Sequence, residues 1–457
     1  MQKSRMRPAV ALLVLTAINT LNFYDRQFLA AVAESVRHEW HLTDLQLGWL
    51  ATAFILSYSV FGLPLGRLAD IGPRQLILAG GLATWSIFTT LSGLSRSFWE
   101  FFALRAGLGI GEATCAPVSI SLIGDLFKPA RRGRALSVFM LGLPLGIALS
   151  YLAGGALAQN VGWRSAYILA GIPGMLLAGI VLSFSDPPRG LSESTGEGGA
   201  ARPGSPWKVI LSLPTMWWII LSGAVHNFNL YAISLFLPAF LIRYHQTTTR
   251  AAGSISAVVI GLIGGAGMLI GGWAGDRLSR TGVRNRMVLA ASAALVSAPL
   301  LHLAMRQAPG DLIAFLVFLG AAWMLMYAYY PNVYSTIQDL LEPALRGTGT
   351  AIYFFAMYFL GALWGPVIAG WASDSLSRAQ ALQHGIQLRM GDAIPEQFRA
   401  GGLYHALGLT PGMGVLLALT LVAACLTVRR DVAKLRAWSG DFPRAGKVGS
   451  TDVNEVA

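Results

Sequence analysis

Apolar runs of about 20 residues recur from one end of the chain to the other with short polar segments between them, and about 20 residues is what a helix needs to cross the hydrocarbon core of a bilayer. The runs predict twelve helices, over residues 9–33, 46–66, 76–95, 98–124, 134–158, 164–184, 214–242, 252–274, 286–305, 311–337, 347–372 and 404–428. The expected fold class is therefore an all-α membrane protein. The first run follows Lys3, Arg5 and Arg7 and ends at Ala31-Val32-Ala33, as a cleaved leader does, but Asn19, Asn22, Asp25 and Arg26 read as parts of a retained helix.

Lys and Arg fall mainly between the runs. With the N-terminus inside, 23 of them lie in the inner segments and 9 in the outer ones, which predicts cytoplasmic N- and C-termini in a cell inner membrane. Topology thus accounts for the net charge of +12 without nucleic acid as a partner. Only 12% of residues are charged against 54% hydrophobic, which excludes a single water-soluble core. Cys115 and Cys425 both sit inside apolar runs, so no disulfide framework, metal site or cofactor is expected.

The chain also repeats itself. Gly66-Arg67-Leu68-Ala69-Asp70 after the second helix matches Gly272-Trp273-Ala274-Gly275-Asp276 after the eighth, and each Asp has an Arg four residues on, Arg74 and Arg280. Asp125, Pro129, Ala130, Arg132 and Gly133 match Asp339, Pro343, Ala344, Arg346 and Gly347, 214 residues later. Two matches in order at nearly one offset predict two pseudo-symmetric six-helix bundles, 1–184 and 214–430. A Gly-, Pro- and Ser-rich cytoplasmic linker, 185–213, joins them, and a polar tail, 431–457, follows. The segment 373–403 is the longest outer loop, readable as a surface helix, a lid or a connector.

Candidate chemistry lies where charge interrupts the apolar runs, because an ion near the bilayer centre is costly unless it faces a partner or a wet cavity. Asn22, Asp25 and Arg26 share one face of the first helix by the i, i+3, i+4 rule, and Arg105 and Glu112, two turns apart, share a face of the fourth. They read either as snorkelling or helix-pinning groups, or as a site in which carboxylates exchange a proton and arginines bind an anionic group. In the second half His226, Asn227, Asn229 and Tyr231 on helix seven, with Tyr327, Tyr329, Tyr330 and Asn332 on helix ten, are candidates to line a cavity; packing and interfacial aromatics are the alternative. Gly107, Gly109 and Gly111 lie in an apolar helix with no preceding strand, so they read as helix packing rather than a dinucleotide loop. No GxxxxGK[ST] loop appears, which disfavours ATP drive, and no nucleophile–base or metal constellation suggests an enzyme.

GRLADIGPR and GWAGDRLSR resemble the signature loop of the major facilitator superfamily, and the likeness covers nearly the whole chain. NFYDRQ, RAGLGIGEA, DLFKPARRGRALSVF and GWRSAYILAGIPGMLLAGIVLSFSDPPRG resemble its Spinster-like branch; NxxDR and the R…GE pair also occur in the anion:cation symporter branch. The resemblance implies that Asp25, Arg26, Arg105 and Glu112 serve proton-linked switching and that Asp70 is the signature Asp of a latch between the halves. Here Ile71 replaces the usual Arg after Asp70, while Arg277 follows Asp276, so the first latch is expected either to be weaker or to rely on Arg74. Asp125 and Asp339 complete the latch candidates. Together these features predict a monomeric secondary transporter, with a small organic or amphipathic anion, a proton and membrane lipids as partners. An organic-anion or sugar-acid symporter, and a membrane sensor that moves nothing, are the alternatives.

Overall fold

The computed structural model describes residues 7–183, 186–188, 206–341, 343–389 and 392–440. Each predicted run lies in a helix, overrunning it by no more than about three residues at either end: α1 Pro8–Trp40, α2 Asp44–Ile71, α3 Arg74–Ser92, α4 Phe98–Leu126, α5 Arg131–Val161 and α6 Trp163–Leu182 in the first half. The second half holds α7 Pro214–Arg243, α8 Thr249–Ser279, α9 Arg284–Met305, α10 Leu312–Leu340, α11 Leu345–Gln383 and α12 Glu396–Lys434. Eleven of these, α2 to α12, are long and apolar enough to cross a membrane. The exception, α1, has 33 residues, about 50 Å of helix, but buries Asn19, Asn22, Asp25, Arg26 and Gln27 among its apolar positions.

Local chemistry sets several of the starts. Thr43 accepts from the Gln46 amide at 3.2 Å while Gln46 accepts from the Thr43 amide at 2.8 Å, a reciprocal cap that begins α2. His41, left-handed at φ 51°, ends α1 only two residues earlier. This tight corner lets Glu34 of α1 and Asp44 of α2 reach the same partner, Arg243. Ser97, Thr248 and Asp311 cap α4, α8 and α10 one way only, each accepting from an amide of the first turn.

The packing repeats as the sequence does. α1 lies on α5, α2 on α4, and α3 on α4 and α6; α7 lies on α11, α8 on α10, and α9 on α10 and α12. The helix path breaks at Ala113-Thr114 in α4 and at Ala328 in α10, positions related by the same 214-residue offset. Large apolar side chains such as Trp217, Trp273 and Leu426 point outward on the bundle surface, as lipid requires. The halves meet along two main seams, α2 with α11 and α5 with α8, and α1 also packs on α7.

Three boundaries differ from the sequence reading. α11 continues through Gln383 and α12 begins at Glu396, so most of 373–403 extends the helices rather than forming a loop. The last helix runs on to Gly440, and Asp431 accepts from the amide and hydroxyl of Thr215 at 2.8 and 2.6 Å, so it belongs to the bundle and not to a tail. Most of the linker expected over 185–213 and the tail beyond 440 lie outside the described residues; 186–188 and 206–213 are described, the latter with a short helix at Pro206–Leu211.

Candidate functional site: a central arginine and a clamp at one face

Arg26 projects from the middle of α1 toward the junction of the halves. Its guanidinium lies 3.5 Å from Glu112 of α4, 3.3 Å from the amide oxygen of Asn22 and 3.4 Å from the hydroxyl of Tyr358 on α11. The rings of Tyr58, Phe23 and Phe54 surround it with centroids 4.5, 4.9 and 5.1 Å away. Asn22 also donates to the Glu112 backbone carbonyl at 3.5 Å. Arg105 reaches α1 too, but donates to the backbone carbonyls of Asp25 and Arg26, at 3.4 and 3.5 Å. The four charged residues of the two motifs and Asn22 are thus brought together.

They do not share one face. Asp25, only 1% exposed, turns away from Arg26 into the first bundle, toward Trp85 and Thr89 of α3. Among the described residues, neither of its carboxylate oxygens has a hydrogen-bond partner, and neither does Oε1 of Glu112. The expected i, i+3, i+4 face divides because Asp25 and Arg26 are adjacent residues, about 100° apart around a helix of 3.6 residues per turn. Arg26, Arg105, Phe54, Ile55, Tyr231 and Leu235 are among the walls of a narrow central cavity of about 20 Å³, room for roughly one water molecule.

The second-half candidates mostly build their own bundle. Asn332 donates to the carbonyls of Gly271 and Ala328 at 3.0 and 2.7 Å, pinning α10 to α8, so it is a packing residue and not a cavity wall. Tyr329 bonds Ser222 and Tyr353 at 2.8 and 3.0 Å, and His226 stacks on its ring at 4.2 Å. Both are buried inside the second half. Asn227 accepts from Tyr330 at 3.0 Å, whereas among the described residues neither ring nitrogen of His226 nor the carbonyl oxygen of Asn229 has a hydrogen-bond partner. The second half reaches the centre instead through Tyr231 and Tyr358. Tyr358 and Tyr58 went unnoticed in the sequence, where a tyrosine in the middle of an apolar run was their only signal.

Of the residues expected to form a latch, Arg74 and Asp125 lie in an ion-pair cluster in the first half, and Asp276 and Asp339 in one in the second. Arg74 pairs with Asp125 and, at 2.9 Å, with Asp186. Arg286 pairs with Asp339 and, at 2.8 Å, with Asp276. The second cluster therefore turns on Arg286 and not on the expected Arg280, which is exposed and has no ion pair among the described residues. The side chain of Asp70 lies outside the described residues.

A larger network went unread in the sequence. At the face where α1 ends, opposite the one where it begins, Arg243 of α7 holds Glu34 and Asp44 of the first half at 2.7 and 2.8 Å. Arg37 holds Glu396 at 2.8 Å, and Asp374 accepts from the amides of Asp44 and Leu45 at 3.1 and 2.8 Å. Among the described residues, the hydrogen bonds that cross between halves lie here or at mid-height, where Thr52 donates to Leu363 and Tyr151 to Ser234. The molecule is clamped at this face.

Comparison with known proteins fits this architecture. The family model described as Major Facilitator Superfamily matches residues 15–366. Protein spinster homolog 1 of Bos taurus is 31% identical over 448 residues, covering 89% of this chain and 84% of the relative. The chain belongs to the Major Facilitator Superfamily, in its Spinster-like branch. This transporter is also similar to an MFS-type efflux pump of Mycolicibacterium smegmatis, at 30% identity over 381 residues, 82% of this chain and 87% of that one. Its structure superimposes with a TM-score of 0.86 on a bacterial homolog of the human lysosomal transporter Spinster in an inward-facing, unoccupied conformation, at 26% identity with 94% and 99% coverage. The transporter is therefore a multi-pass membrane protein and not an enzyme.

Proposed function

We propose that this transporter carries an amphipathic organic anion by alternating access, coupled to protons. The observation that carries the reading is Arg26: a buried guanidinium at the central cavity whose carboxylate contact is long and whose other neighbours are aromatic rings, the Asn22 amide oxygen and the Tyr358 hydroxyl. An anionic group of the solute competes with Glu112 for it, and Glu112, once displaced, takes a proton rather than stay buried as an unpaired charge. Asp25 does the same behind α1 when Arg105 shifts with the helix. The apolar walls at Leu29, Ala30, Ile55 and Leu235 favour an amphipathic solute over a sugar acid, whose hydroxyls need several polar partners.

The halves rock about the α2–α11 and α5–α8 seams. With both termini cytoplasmic in a cell inner membrane, as the Lys and Arg distribution favours, the clamped face is the outer one and the transporter, acting as a monomer, faces inward. A thermal-shift screen against carboxylates, sugar acids and lysophospholipids finds the ligand class, because a ligand of the native state raises its melting temperature. Flux of that ligand is then measured in proteoliposomes under an imposed pH gradient. Gradient-dependent flux that disappears in Asp25→Asn and Glu112→Gln is expected; gradient-independent flux that survives both substitutions refutes proton coupling.

A further inference from the structure

The repeat provides an internal control for the basic segment that opens α5. Arg132 donates to the carbonyl of Gly124 at 2.9 Å, and Arg346, its counterpart in the second half, donates to the carbonyls of Gln338 and Leu341 at 2.9 and 3.1 Å. Each arginine satisfies carbonyls left open at the end of a helix, α4 or α10, so the fold uses this one. Arg131 and Arg134 have no such duty. Both are exposed, neither has a hydrogen-bond or ion-pair partner among the described residues, and the residues 214 positions on are Leu345 and Thr348.

Arg131, Arg134, Ala135 and Val138 follow the i, i+3, i+4, i+7 spacing, so they form one stripe along α5. With Leu12 of α1 and Phe127 they line an open groove of about 310 Å³ at the face where α1 begins. One part is doubly cationic, and the rest is apolar and continuous with the outward-facing surface, on which Leu13 and Val138 are exposed.

We infer that this groove binds the headgroup of an anionic phospholipid. Guanidinium groups pair with the two free oxygens of a phosphodiester, basic pockets beside membrane helices favour anionic headgroups, and the apolar part receives the start of an acyl chain. The site is independent of the central cavity and of what it transports.

The test titrates purified transporter in neutral detergent with short-chain phosphatidylglycerol, phosphatidylcholine or inorganic phosphate, and follows the melting temperature. Phosphatidylglycerol is expected to raise it well above the other two. Its apparent affinity should fall about fivefold for Arg131→Gln or Arg134→Gln alone and roughly 25-fold for both. Arg277→Gln with Arg280→Gln, at a basic groove in the second half that also contains Asp276, should change nothing. Equal shifts for the two lipids, an undiminished shift in the double variant, or a full shift from phosphate alone would overturn the inference. The single variants carry the test if the double variant does not purify.

Discussion

Arg26 and Arg105 are both buried, yet neither is fully compensated by a carboxylate. The ring faces around Arg26 supply part of what a counter-ion would, each worth about 2 kcal/mol when desolvated. They also hold the guanidinium plane in place. Lysine keeps the charge but lacks the planar fork, so Arg26→Lys should abolish solute-dependent thermal stabilisation while leaving the unliganded melting temperature within a few degrees; unchanged ligand binding would show that Arg26 is not a recognition group. Asp25→Asn removes a buried acid whose oxygens have no hydrogen-bond partner among the described residues, so it should not lower the melting temperature although it abolishes pH-driven flux. A marked drop in stability would mean that Asp25 serves the fold.

Between helices, closeness is set by glycine. Gly107 packs on the ring of Phe88 in α3, Gly109 on Phe54 and Ser57 in α2, and a Cβ on Gly111 would fall 2.8 Å from the carbonyl oxygen of Gly81 and the amide of Trp85. These are backbone atoms and cannot turn aside. Gly111→Ala should therefore push α4 from α3 and destabilise the protein by about 1–3 kcal/mol, read as a lower melting temperature. The same shift moves Glu112 relative to Arg26, so weaker ligand binding should accompany it. Here the packing reading of the glycine motif is the one the structure supports, and the motif supports the site only by setting how near α4 lies to α3.

Across the whole molecule, the clamp decides which face is shut. Arg243 satisfies two carboxylates from the other half, and removing one member of a buried ionic cluster costs about 3–5 kcal/mol because the remaining charges lose their partner. Opening that face lets water reach Glu34 and Asp44 again. Arg243→Gln should accordingly shift the population toward the conformer open there. With both native cysteines replaced by serine, a cysteine at Ala30 beside the central cavity should react faster with an impermeant maleimide added from the clamped face; an unchanged rate would show that the seams hold the face shut without the clamp.

Sequence by itself determined the helices, because apolar length and period are local properties that lipid makes decisive. It also determined the repeat, since Asp125 and Asp339, or Arg132 and Arg346, are spaced along the chain whatever the chain folds into. The charges of α1 and α4 were legible for a related reason: an ion in an apolar run stands out before any partner is known. Only tertiary structure decided which partners those charges have, turning Asp25 inward while Arg26 faces the cavity, and giving Asp276 to Arg286 instead of Arg280. The clamp was hidden altogether. Glu34, Asp44, Arg243 and Glu396 lie at helix ends, where charges are ordinary, and they become a network only when residues as many as 359 positions apart are folded onto one face. Local pattern fixes an element; a site made of distant side chains exists only once the elements have packed.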